Sequence, residues 1–316
     1  MPFSAQPDPA YGAMRDWMEH WSELEARLAA LLLAPHETHD FTARLQDVHT
    51  QAGALLDLDA DATLYWLFQL AAGSTVGYSA SHAMVCWALC RLTGKALSLE
   101  AADLHSLGLA ALTMNIAMTR LQDDLAEQTT APTPEQSAAI ETHAARGAQW
   151  LRELGVADAQ WLHIVEQHHL DDTDLPVAAR LLQTVDRYAA LISPRESRPG
   201  RCVTDSGRYA LMHQGHAVDD IGHALVRTVG ICPPGSFVRL EDDRIAVVLR
   251  RSDRPGEPWA ATVLDARGIP VAEPTLIHTG HDGNGIAAAL VTQTVRVRLN
   301  HPRLLQLSRV ALTQAP

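Results

Sequence analysis

YSASHAMVCWALCRL, residues 78–92, sets His82 on one helical face with Val85, Leu89 and Leu92. Side chains three, four and seven apart share a face, so an imidazole on an apolar stripe is buried with that stripe. The same arrangement recurs three times further along the chain. His143 lies between Ile140 and the side formed by Gly147, Trp150 and Leu154, and His168 follows Ile164 and Val165, with His169 four after Val165. Asp186 sits among Leu182, Val185 and Ala189. Taken singly, each is more simply explained as a hydrogen-bonded core histidine or a buried carboxylate. Five such groups in one bundle are costly to bury without partners, and a bound cation is a common remedy.

Around this segment, apolar residues at helical spacing predict helices over 14–33, 41–56, 61–72, 78–92, 99–125, 133–154, 158–169 and 176–192. Asp61 is placed as a helix start, and Gly155 as a left-handed cap after Leu154. After Gly230 the pattern changes. CPPGSFVRL, DRIAVVLRR and PWAATVLDARG combine β-branched residues with proline and glycine turns, as short strands do. Asp282-Gly283 is read as a hairpin turn, and GHDGNG (280–285) as a loop, since no strand and helix flank it as a phosphate cradle requires. The expected architecture is mainly α: an N-terminal helical region over 1–74, a helical bundle over 75–230 and a small β-rich region over 231–316.

The 316 residues supply ample core. The four cysteines, Cys86, Cys90, Cys202 and Cys232, are too few and too unevenly spaced for a disulfide framework or a four-thiolate zinc site, which fits a reducing cytoplasm. Cys86 and Cys90 follow His82 at helical spacing, and are read as core fillers. No secretory signal and no membrane-crossing apolar run is present in the sequence. A formal net charge of −12 argues against nucleic acid as partner, while leaving room for a local basic pocket for a small nucleotide.

An ordered string of segments resembles the HD-GYP domain family over roughly residues 75 to 250. It comprises Tyr78 to His82, LGLAALTMNIAM from Leu107 to Met118, His143 with Gly147, the His168-His169 pair, ARLLQTVDRYAALISPR from Ala179 to Arg195, and CPPGSFVRLEDDRIAVVLRR from Cys232 to Arg251. The resemblance implies an HD-type helical bundle. It also implies bacterial signalling phosphodiesterases that hydrolyse cyclic di-GMP with a two- or three-metal centre, commonly iron or manganese. His82 and Asp186 then match ligands of one metal, and His143, His168 and His169 those of its neighbour. Arg195 and Arg198, with Arg201 nearby, resemble an arginine segment that contacts substrate phosphates.

The match also has gaps. Met114-Asn115 stands where the family has its His-Asp pair, Met118 where it has a lysine and Leu170 where it commonly has Glu; DDTDLPVA (171–178) replaces the longer loop bearing the Gly-Tyr-Pro signature. A neutral amide is a poor metal bridge and a thioether a poor substitute for imidazole. The expectation is therefore a degenerate member with no catalytic residue assigned, acting by binding a cyclic dinucleotide or a signalling-protein partner. It would carry one Fe, Mn or Zn ion, or none. Two alternatives stand beside it: a residual metal-dependent phosphohydrolase with an altered site, and a dimeric interaction scaffold with no nucleotide ligand.

Overall fold

In the computed structural model, residues 9–73, 77–170, 174–193, 196, 202–210 and 220–314 are described. The N-terminal helices α1 (Pro9–Leu33), α2 (Phe41–Leu58) and α3 (Ala60–Gly73) pack around α4 (Tyr78–Ala96). From Tyr78 to Cys90 every residue of α4 is buried. Ser79, Ala80, Ser81, Ala83, Cys86, Ala88 and Cys90 keep its surface narrow enough for α1, α3 and four later helices to approach on different sides. The stripe read around His82 is thus one side of a helix that is interior all round.

The later helices are α5 (Ala101–Thr113), α6 (Thr119–Glu127), α7 (Pro134–Glu153), α8 (Ala159–Gln167), α9 (Val177–Ile192), α10 (Val203–Ala210) and α11 (Asp220–Val229). Their starts follow from local chemistry. Thr133 and Gln136 form a reciprocal capping box at α7, and Asp158 accepts the Gln160 and Trp161 amides at 2.9 and 3.0 Å to open α8. Gly155 takes φ +85 after α7, as its place beyond Leu154 implied, and the Val156 amide reaches the Leu151 carbonyl at 3.0 Å.

Two helix readings need correction. The helix read over 99–125 is divided at residues 114–118. Asn115 leaves helical geometry at φ −104, the Met118 amide turns onto the Asn115 carbonyl, and Ile116–Met118 forms a 3-10 turn before α6. Asp61 does not start α3; the carboxylate of Asp59 receives the Ala62 amide at 3.0 Å, and Asp61 is used elsewhere.

Strands β1 (Phe237–Leu240), β2 (Ile245–Arg250), β3 (Trp259–Leu264), β4 (Pro270–His278) and β5 (Ile286–Leu290) form one antiparallel sheet in the order β4-β3-β2-β1-β5. Asp282-Gly283 is consequently not a hairpin turn. The segment carrying it runs between strands on opposite edges, and β5 pairs with β1, Phe237 opposite Leu290. A flat sheet would hold these edges roughly 19 Å apart, and the connecting segment folds back on itself through the His281 and Asn284 amides. A helix not foreseen in the sequence, α12 (His301–Gln314), covers the sheet, with Leu304 and Leu305 packed among Phe237, Val247, Leu249 and Val263.

One ionic network ties sheet to helices. Arg250 on β2 contacts Asp59 at 2.5 Å and Asp61 at 3.2 Å, and donates to the Ser308 carbonyl of α12. Arg251 contacts Asp61 at 2.5 Å and the Thr228 carbonyl of α11. Among the described residues no helix is long and apolar enough to cross a membrane.

Removing one side of so buried a network strands the other. Arg250→Ala is expected to destabilise the fold by about 3–5 kcal/mol in chemical denaturation; a change under 1 kcal/mol would show that the network is idle. A second expectation concerns His49 of α2. The Trp87 indole donates to its Nδ1 at 3.0 Å, and burial first, then the charges of His105 and Arg91, push its pKa down to about 4. The unfolded chain, near 6.5, takes up the proton first, so this contribution is complete above that value and is lost as pH falls toward 4. It amounts to about 3 kcal/mol. Denaturation midpoints of wild type and His49→Gln should converge on going from pH 7.5 to pH 4.5.

Candidate metal centre

His143 projects from the middle of α7, His168 caps the C-terminus of α8, and His169 follows it. The Nδ1–H of His143 donates to the Ile140 carbonyl at 2.5 Å, and that of His168 to the Val165 carbonyl at 2.7 Å. A carbonyl can only accept, so in both rings the proton resides on Nδ1. The two Nε2 atoms are left with bare lone pairs facing each other at 3.3 Å. No proton lies between them while the rings are neutral. They are held neutral, because burial pushes His143 down and takes His168 to about 3. His169, exposed, brings its ring to 4.9 Å from His143 and 4.0 Å from His168, and one donor atom from each residue lies within 4.8 Å of the others.

A second set adjoins the first. His82 of α4 is fully buried, its Nε2 lying 2.8 Å from Asp186 Oδ1 on α9 and 3.6 Å from Cys86 Sγ one turn along α4. Tyr78 stacks on the His82 ring with planes 10° apart. His82 Nδ1 is buried with no hydrogen-bond partner among the described residues. Burial pushes the Asp186 carboxyl up, but the hydrogen bond from His82 and the electrostatic interactions with the His82, His168 and His169 rings outweigh it, holding the group well below the usual carboxylate range. Its charge also acts on His143 and His168. The two sets thus share one electrostatic environment.

The five residues read from the sequence are therefore together. Three nitrogens on one side, and a nitrogen with a carboxylate and a sulfur on the other, are donor sets that fit divalent cations. A cation held there supplies a Lewis acid and lowers the pKa of a bound water. What sequence reasoning missed is Cys86: its i, i+4 spacing from His82 was visible, but spacing alone does not distinguish a ligand from a core filler.

The remaining expected positions scatter. Met114 is buried in the apolar core, and its carbonyl lies 3.7 Å from where a Cβ on Gly147 would stand, one turn beyond His143. Asn115 is half-buried on the turn that follows α5. Met118 lines a cleft of about 430 Å³ shared with His36, Trp150 and Arg120, a lining that includes none of the five. Leu170 is exposed, its carbonyl taken by Gln183 Nε2 at 2.9 Å. Arg195, Arg198 and Arg201 lie outside the described residues, as does 171–173 of the replaced loop.

No protein-family profile matches the chain. Over 266 residues it is 25% identical to cyclic di-GMP phosphodiesterase PA4108 of Pseudomonas aeruginosa, a match covering 79% of this chain and 64% of the relative. The match thus spans less than two thirds of that relative's length. Among solved structures, Bd1817, a HDG"Y"P protein from Bdellovibrio bacteriovorus, shares the fold at a TM-score of 0.50 and 15% identity, covering 71% of this chain and 72% of that one.

Facing lone pairs cost stability until something positive lies between them. His143→Leu is expected to change the stability of metal-free protein by less than about 1 kcal/mol, and to abolish the extra stability that added zinc or manganese confers on the wild type. Denaturation curves with and without metal measure both. An equal metal-induced stabilisation in the variant would exclude this nitrogen as a ligand.

Proposed function

We propose that this HD-GYP-like chain is a signalling protein that works by binding, with one divalent cation on His143, His168 and His169 and a cyclic dinucleotide such as cyclic di-GMP beside it, without hydrolysing that ligand. The carrying observation is the pair of imidazoles whose own helices fix their protons on Nδ1 and turn both Nε2 lone pairs inward. This is a site arranged for a cation before one arrives.

The turn after α5 lacks the groups that hydrolysis needs. In-line attack on a phosphodiester by a two-metal centre needs a ligand that joins the metals and charge that stabilises the leaving oxygen. Where the resemblance puts that bridge, Asn115 offers a neutral amide and Met114 a buried thioether, and Met118 offers no ammonium for the phosphate. Arg195 and Arg198 are the groups assigned to phosphate recognition, by the bidentate geometry of guanidinium. The similarity to a protein named as a cyclic di-GMP phosphodiesterase supports the ligand class.

A second reading, a residual metal-dependent phosphohydrolase, is favoured by one specific observation: a further donor set lies within the same field, around Asp186. The two readings separate in one experiment. Protein stripped by chelator and reloaded with manganese, iron or zinc is titrated with cyclic di-GMP in a calorimeter, and the mixture is then chromatographed. Metal-dependent heat with unchanged nucleotide is expected. Chelator-sensitive appearance of linear dinucleotide or GMP establishes the second reading, and absence of binding in every metal state removes the nucleotide and leaves the interaction scaffold.

A further inference from the structure

We propose that at the position where the resemblance already puts one metal on His82 and Asp186, Cys86 joins them as a sulfur ligand and makes that position selective for a thiophilic divalent ion, zinc foremost. It involves different atoms from His143, His168 and His169, and stands or falls independently of the nucleotide reading.

Three observations carry it. The first is convergence. His82 Nε2 meets both Asp186 Oδ1, at 2.8 Å, and Cys86 Sγ, at 3.6 Å, and the three ligand atoms all lie within 4.8 Å of one another. A cysteine–histidine–aspartate relay for nucleophilic chemistry would place thiol and carboxylate on opposite ring nitrogens. Here Nδ1 has neither, so the groups surround a point instead of forming a line. The second is burial: Cys86 is wholly enclosed, which denies it to an external electrophile but suits a ligand.

The third is charge. A thiolate and a carboxylate together carry two negative charges, which a divalent ion neutralises inside the fold without a counter-ion. Cys90, one turn further along α4 and equally buried, does not join the set, so the position of Cys86 is not a property of every cysteine on that helix. A soft sulfur beside an imidazole nitrogen and one oxygen matches zinc better than the harder cations, and three protein ligands leave the fourth tetrahedral position open. Protons balance as follows. As the nitrogen–metal and sulfur–metal bonds form, the proton between His82 and Asp186 shifts to Nδ1 and the Cys86 proton leaves for solvent. One proton is released per cation.

The test uses metal-free full-length protein titrated with cobalt(II). A thiolate-to-cobalt charge-transfer band in the near ultraviolet is expected, bleached by zinc, absent in Cys86→Ser and retained in Cys90→Ser and His143→Leu. Zinc-edge absorption spectroscopy on the wild type gives an answer that requires no variant to fold, and should show a sulfur scatterer at about 2.3 Å. Cobalt bound with visible ligand-field bands but no thiolate band overturns the sulfur ligand while leaving a nitrogen site intact. A thiolate band that survives in Cys86→Ser, or zinc with nitrogen and oxygen neighbours only, overturns it equally.

Discussion

A carboxylate 2.8 Å from a fully buried imidazole is the contact around which the bundle is organised. Asp186 and His82 belong to α9 and α4, and α4 is the buried helix that α1, α3, α5, α6, α9 and α11 pack against. Neither group is inexpensive to bury alone; together each makes the other tolerable, and removing one partner of such a pair costs about 3–5 kcal/mol. The same carboxylate projects its charge onto His143 and His168. Fold and candidate chemistry therefore depend on one anion.

The two donor sets reflect different physical strategies. His143 and His168 are oriented by carbonyls of their own helices, a local device that fixes ring and tautomer whatever else surrounds them. The result is a repulsive pair of lone pairs in the metal-free state, a stability cost of the kind that functional sites retain. His82 and Asp186 instead satisfy one another without a cation. The facing histidine nitrogens gain from a positive charge between them, whereas His82 already has Asp186 as its partner. Occupancy should therefore respond differently to metal supply at the two places.

The helical part of this arrangement was legible in the sequence because its helices are long and periodic, and because Thr133, Asp158 and Gly155 are cap residues with clear local chemistry. The five candidate side chains were legible for the same reason, since periodicity fixes the face. Other features depended on contacts far along the chain. The break at Asn115 follows from a turn, not a proline or glycine. Asp61 is claimed by Arg250 and Arg251, almost 190 residues later, so a capping role read locally was overridden. β5 pairs back to β1 instead of with the preceding strand, and α12 hides its stripe inside a segment otherwise rich in strands. Cys86 needed a distance, because a thiol at helical spacing looks the same as a ligand and as a filler.

The central claim is that the chain retains the histidine site and lacks the bridge that would join two metals across it. Anomalous diffraction from crystals grown with manganese, iron or zinc tests this directly. The account predicts a peak within bonding distance of His143, His168 and His169 that draws no ligand from Asn115. Two peaks roughly 3.5–4 Å apart, sharing the Asn115 side-chain oxygen, would be the arrangement of a working two-metal hydrolase and would contradict it.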